Sequence, residues 1–126
     1  DQPELWVPRC QIVGVVAITA QVEMMKNKEM FIADTQFIGK EVGLAYDLET
    51  SVDRVSEIVN EVDKILLLAV ATGKQGQRFD RRVLKKIEEV RKMSKRIKIG
   101  VDGGLDEVCF NRCTNVRVMN QRPRCR

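Results

Sequence analysis

Six consecutive aliphatic residues, Ile65, Leu66, Leu67, Leu68, Ala69 and Val70, narrow the fold more than any other feature of this chain. A strand that is apolar without alternation is expected to be covered on both faces, as strands are in parallel sheets flanked by helices. The remainder of the body repeats the theme. Val13, Val15, Val16, Ala17 and Ile18 make a strand-like run around Gly14, residues 42–46 make another, and residues 97–101 a fourth. Helical patterns lie between them. Residues 24–38 place Met24, Phe31 and Ile38 on one stripe, with Gly39 as the C-cap. Thr50, Ser51, Val52 and Asp53 resemble a helix start that leads into Val55, Ile58, Val59 and Val62. Residues 80–95 line Val83, Leu84, Ile87, Val90 and Met93 along one face, and Glu88 and Lys92 are placed for an i,i+4 pair. The unit recurs at about thirty residues, with connections too long for hairpins, so a parallel α/β protein is predicted.

The architecture lies between an open doubly wound sheet and a TIM-type barrel. A closed barrel takes ~250 residues, twice the 126 here. Four β/α units would make about half a barrel, with two exposed parallel edges. Residues 3–10 read as a helix that follows a strand outside this chain, and residues 106–126 abandon the pattern in favour of Arg and Cys. The predicted organisation is therefore a partial (β/α) barrel over residues 1–105 and an irregular tail over 106–126. Both ends read as cut, and there is no initiator Met.

Composition removes several function classes. Histidine is absent, so His triads, His metal sites and His general bases are outside what this chain does alone. The net charge is +4, but residues 105–126 carry five arginines against Asp106 and Glu107, so the basicity belongs to the tail. Aromatics are 5% and do not interleave with the basic residues, which argues against nucleic acid. The longest apolar run, 65–71, has seven residues, far below the ~18 of a membrane span. The first four residues, Asp1, Gln2, Pro3 and Glu4, do not make a signal peptide. Three of the four cysteines, Cys109, Cys113 and Cys125, sit near the end, and only Cys10 lies elsewhere. That distribution suits a reducing, cytoplasmic setting better than a disulfide framework, and the C-x3-C spacing of Cys109 and Cys113 lacks a second ligand pair for zinc.

Ligands in open and closed α/β sheets bind beyond the carboxyl ends of the strands. The residues there are 19–23, 47–50, 71–77 and 102–104. Gly73 and Gly76 allow backbone N–H groups to approach an anion, and so do Gly103 and Gly104. Turn geometry explains either loop alone, whereas two such loops after adjacent strands favour a phosphate cradle. Asp102 stands just past an apolar strand, either as a functional carboxylate or as a turn or N-cap residue.

Val101-Asp102-Gly103-Gly104, together with Ile65-Leu66-Leu67 and Gly73-x-x-Gly76-Gln77-x-Phe79, resembles the ribulose-phosphate 3-epimerase family. The pattern runs from Gly14 through Ile18, Thr19, Glu23, Gly39, Gly43, Leu44, Thr50, Asp63, Leu84, Lys86 and Arg91, and then skips a few residues before Ile97. It corresponds to strands four to seven of the family's phosphate-binding barrel. The resemblance implies an isomerase of pentulose phosphates, in which a divalent metal (Zn, Fe, Mn or Mg) held by two histidines and two aspartates stabilises an enediolate. It makes Asp102 a metal ligand and a catalytic acid/base, and Gly76, Gly103 and Gly104 phosphate-binding residues, with Gly73 in the same loop.

The chain departs from the family at several points. Gln21 replaces a family histidine, Asp47-Leu48 replaces Asn-Pro, and the usual Asn-Pro-Gly-Phe-Gly-Gly loop reads Ala71-Thr72-Gly73-Lys74-Gln75-Gly76. Lys74 either offers a charge to phosphate or is simply solvated. The metal histidines, the partner aspartate and the final Gly-Ser turn are missing. The expectation is therefore an epimerase-like chain that is inactive alone and does not bind the metal alone, with a sugar phosphate as ligand. Its expected protein partner is a second copy or a missing half-barrel. The alternatives are a non-catalytic half-barrel binding a sugar phosphate or partner chain, and a related barrel decarboxylase or synthase.

Overall fold

The computed structural model describes residues 2–71 and 76–114. Four parallel strands, β1 (Ala17–Gln21), β2 (Glu41–Tyr46), β3 (Lys64–Leu68) and β4 (Lys98–Asp102), pair in sequence order. Helices α1 (Lys28–Phe37), α2 (Val55–Ile58), α3 (Arg82–Met93) and α4 (Glu107–Thr114) follow the strands one by one. This is the half-barrel-like α/β sheet expected from the repeating pattern. The register joins Thr19 to Gly43, Gly43 to Lys64, and Leu68 to Asp102, so the carboxyl ends of neighbouring strands lie level.

The two faces of the sheet differ. Val42, Leu44, Ile65, Leu67, Ile99 and Val101 are buried with Phe31 and Ile32 of α1 and with Val83, Ile87 and Val90 of α3. Side chains alternate along a strand, so the intervening residues face the other way. Thr19 and Asp102 are exposed there, and Leu66, Leu68 and Val70 are half-buried. The expectation that β3 is covered on both faces is thus corrected. Its outward residues form the core, while its inward residues lie on the concave side, where among the described residues no helix is laid. Glu41 and Lys98, both on this side, pair across β3 at 3.2 Å.

Several boundaries differ from the sequence reading for local reasons. Residues 3–10 form two 3-10 turns, Pro3–Leu5 and Val7–Cys10, and not one helix. They are tied down by Glu4, whose Oε1 accepts hydrogen bonds from the backbone N–H of Lys26 and Asn27. The first strand begins at Ala17 and not near Val13, because pairing starts at Ala17 with Glu41 and a turn hydrogen bond from Val15 to Ile12 precedes it. The first helix starts at Lys28, where the Asn27 side chain accepts from the Met30 N–H at 2.9 Å. Met24 falls in a separate 3-10 turn, outside the expected stripe. Helix α2 is a single turn, although Val52, Val55, Ile58 and Val62 are buried as the pattern implies.

In α3 the i,i+4 pair is Lys85–Glu89 and not Glu88–Lys92. The chain leaves α3 under Arg91, whose guanidinium donates to the carbonyls of Lys95 and Ile97 at 3.0 Å. The start of the expected irregular tail is helical: Asp106 accepts from the Cys109 N–H at 2.7 Å and opens α4. The rest of that tail, 115–126, lies outside the described residues. Cys10 is a free thiol. Among the described residues no helix is long and apolar enough to cross a membrane.

Candidate functional site

The carboxyl ends of β3 and β4 bring the two glycine-containing loops together. The Ala69 N–H donates to the Asp102 carbonyl at 2.7 Å, and the Ala69 carbonyl accepts from the Asp80 N–H at 2.8 Å. These bonds carry the ladder one residue past Leu68 and anchor the far end of the β3–α3 loop. Gln77 closes the neck of that loop in two directions. Its amide donates to the Ala71 carbonyl at 3.1 Å, and its side-chain oxygen accepts from the Ala71 N–H at 3.2 Å. Asp80 then accepts from the backbone and guanidinium of Arg82, which also reaches Glu49 at 2.9 Å. The side-chain hydrogen bond from Arg82 holds the Asp80 carboxyl below the usual carboxylate range.

Asp102, Gly103 and Gly104 turn the chain from β4 towards α4. Gly103 (φ +108°) and Gly104 (φ +60°) both adopt conformations that L side chains rarely take. Close approach adds a second requirement. A Cβ on Gly103 would lie 2.5 Å from Val70 Cγ2, and one on Gly104 would lie 2.5 Å from the backbone nitrogen of Phe79. The β4–α4 turn therefore sits directly on the backbone of the β3–α3 loop, and only glycine fits there. Gly76 (φ +74°) lies at the far side of the loop, with open space where a Cβ would stand.

Asp102 is the last residue of β4 and is exposed on the concave side. Its carboxylate takes no hydrogen bond or ion pair from any described residue, so it is available to a ligand in a way that Asp80 and Asp106 are not. The structure thus brings together Asp102, Gly103, Gly104 and Gly76 at one end of the sheet. Gly73, with Lys74 and Gln75, lies outside the described residues.

The other carboxyl ends are held by residues whose roles the sequence reading did not assign. Lys86, half-buried on α3, donates to the carbonyls of Asp47 and Thr50, each at 2.6 Å. Burial pushes its pKa down, while Glu23, Asp47 and Glu49 oppose that shift. Glu23 in turn accepts from the Asp47 N–H at 2.8 Å. Lys86, Glu23 and Gln77 all stand in the family-like pattern, and that pattern was the one signal pointing to them. Their roles are fixed by carbonyls and N–H groups that a string of letters does not display.

Comparison with known proteins identifies the family. The model of the ribulose-phosphate 3 epimerase family matches residues 1–119. The chain is 29% identical over 111 residues to the ribulose-phosphate 3-epimerase of Mycobacterium tuberculosis, covering 85% of this chain and 48% of that protein. It is 30% identical over 104 residues to the enzyme of that name from Schizosaccharomyces pombe, covering 82% of this chain and 46% of the relative. The relative of the same name from Bacillus subtilis is 27% identical over 112 residues, with 85% and 52% covered. The chain spans about half the length of the curated relatives it matches. With a family model matched over nearly its whole length, the chain belongs to the ribulose-phosphate 3 epimerase family.

Proposed function

We propose that this chain supplies the phosphate-binding side and one acid/base of a pentulose-phosphate epimerase site, and that alone it binds the sugar phosphate without turning it over. The observation that carries this reading is the seating of Gly104 on the Phe79 backbone, which packs the Asp102-Gly103-Gly104 turn against the loop that follows Gly76. Successive N–H groups in turns of positive φ form a concavity that suits a phosphate. In this reading Gly76, Gly103 and Gly104 hold the phosphate of ribulose 5-phosphate through their N–H groups, and Gly73 extends the same loop.

Asp102 then serves the proton at C3. As a carboxylate it takes that proton, which the neighbouring C2 carbonyl acidifies, and the electron pair moves into an enediolate. Inversion requires a proton delivered to the opposite face, from a second acid on the far side of the sugar. In this reading that acid, and the ligands of a divalent metal, belong to early strands of the family's barrel that the resemblance does not match to this chain. The residues present do not fit the metal: histidine is absent, and among the described residues no three His, Cys, Asp or Glu side chains converge. Asp102 alone is one donor where a structural or catalytic centre takes at least three. Proton removal here is therefore left without its charge stabilisation and its partner acid.

The test is an epimerisation assay of ribulose 5-phosphate with the full chain and added Mn2+, Fe2+ or Zn2+, together with backbone amide shifts recorded during titration with the same sugar. The expected outcome is no conversion, with saturable shifts at Gly76, Gly103 and Gly104. Turnover that disappears in Asp102→Asn would overturn the inactivity, and unmoved glycine amides would overturn the cradle.

A further inference from the structure

One side chain, that of Gln77, links the two segments that grip the β4–α4 turn. Beyond β3 the chain is fastened twice to the returning loop. The Ala69 carbonyl accepts from the Asp80 N–H at 2.8 Å. Two residues on, Ala71 exchanges a pair of hydrogen bonds with the Gln77 side chain, at 3.2 Å through the Ala71 N–H and at 3.1 Å through its carbonyl. A carboxamide carries an acceptor and a donor side by side. Gln77 therefore pairs with Ala71 as a facing residue on an antiparallel strand would. Asn has the same chemistry but is one methylene shorter.

Between those fastenings stands the backbone on which the turn rests. A Cβ on Gly104 would lie 2.8 Å from the Gln77 carbonyl oxygen, 2.9 Å from the Arg78 carbonyl carbon and 2.5 Å from the Phe79 nitrogen. On the other side, a Cβ on Gly103 would lie 2.5 Å from Cγ2 of Val70, the residue between Ala69 and Ala71. The turn is thus held between Val70 and residues 77–79, and the Gln77 side chain ties one support to the other. Among the described residues, Arg78 and Phe79 make no backbone hydrogen bond. Their position follows from the fastenings on either side, at Gln77 and at Asp80. Gln77 itself is half-buried, so its side chain is not a core element.

We propose that Gln77 is a positioning residue for the phosphate cradle: bound to Ala71, it holds residues 77–79 against Gly104 and so sets how well the Gly103 and Gly104 N–H groups receive a phosphate. The proposal rests on the cradle reading above and names the side chain on which the cradle's geometry depends. The test compares Gln77→Met and Gln77→Glu with the unaltered full chain through backbone amide shifts. Met keeps the length and loses both hydrogen bonds. Glu as a carboxylate sets a negative oxygen against the Ala71 carbonyl, whereas its protonated form again offers a donor and an acceptor. Without ligand, Gln77→Met should move the Gly103 and Gly104 resonances, which loss of a side chain that only touched the ligand would not do. Its affinity for ribulose 5-phosphate at neutral pH should fall at least about fivefold, with the far-UV circular dichroism unchanged. Inorganic sulfate, whose charge is constant across the range, serves for the pH profile. Gln77→Glu should bind it weakly at neutral pH and approach the unaltered chain as pH falls to about 4, while Gln77→Met stays weak throughout. Unmoved glycine amides in the unaltered chain would overturn the cradle and this proposal with it. Saturable shifts there would leave the cradle standing. In that case equal affinity in Gln77→Met, unmoved Gly103 and Gly104 resonances in its unliganded form, or no recovery of Gln77→Glu at low pH would each overturn the role of Gln77 alone.

Discussion

At the residue scale, three polar groups show how burial and partners set behaviour. The Glu4 carboxyl is held below its ordinary range by its own backbone N–H and those of Lys26 and Asn27, against the opposing effect of burial. A lowered carboxyl pKa contributes stability that is present above the ordinary glutamate value and lost as pH falls through the folded one. Lys86 is shifted down by burial, yet it still holds two carbonyls. Tyr46, the sole tyrosine, is the most sharply displaced. Burial first, and Glu23 second, push its phenol up from 10.0 to about 12. Between those values the unfolded chain loses a proton that the folded chain keeps, so stability falls as pH rises across the window. The loss attributable to this group reaches roughly 2 kcal/mol. Ultraviolet titration of the folded chain should show tyrosinate only near pH 12, and Tyr46→Phe should flatten that part of the stability profile. A titration midpoint near pH 10 would mean that the ring is solvated.

At the element scale, the turn from β4 to α4 is where a single methyl group does most. Gly104 combines a left-handed φ of +60° with a would-be Cβ only 2.5 Å from Phe79 N and 2.8 Å from the Gln77 carbonyl. Neither neighbour is a flexible tip, since both belong to backbone fixed by the Gln77 clasp and by the Asp80 N–H bond to Ala69. Gly104→Ala should therefore cost about 2–4 kcal/mol and displace residues 77–79. Gly76→Ala, with only its φ to oppose it, should cost about 1–2 kcal/mol. Urea unfolding of the two variants checks the order, and equal losses would show that the loop gives way.

The same elements explain what a reading of letters captures. Val101-Asp102-Gly103-Gly104 is legible because an apolar strand ending in a carboxylate and two glycines has few uses, and all three fall at the strand's end. Helix α3 is legible from the spacing of Val83, Ile87 and Val90, all fully buried. The first strand is displaced by several residues from its expected start because Val13, Val15 and Val16 are as strand-like as Ala17 and Ile18. Register with Glu41, a long-range fact, decides where pairing starts. The clasp of Lys86 on the Asp47 and Thr50 carbonyls has no local signal, since it joins α3 to the segment after β2, more than thirty residues away.

At the scale of the whole molecule, the sheet has one finished face and one unfinished face. Ile65, Leu67, Ile99 and Val101 are sealed under the helices, while Leu66 and Leu68 are half-buried on the concave side. A half-barrel whose concave face carries Leu66, Leu68 and Val70 among polar residues invites a covering chain, a second copy or a missing half-barrel, and the pleat of β3 supplies an internal control. Leu67→Ala removes a fully buried side chain and should cost about 3 kcal/mol, within the usual range for core leucines. Leu68→Ala, one residue along and on the other face, should cost about 1 kcal/mol if the chain stands by itself, because its side chain already meets solvent. The measurement is urea unfolding of both variants over a range of protein concentrations. A large gap between them, independent of concentration, means that the concave face is open. If Leu68→Ala costs as much as Leu67→Ala, and the cost grows with concentration, a second copy covers that face, and stability then becomes a property of the assembly.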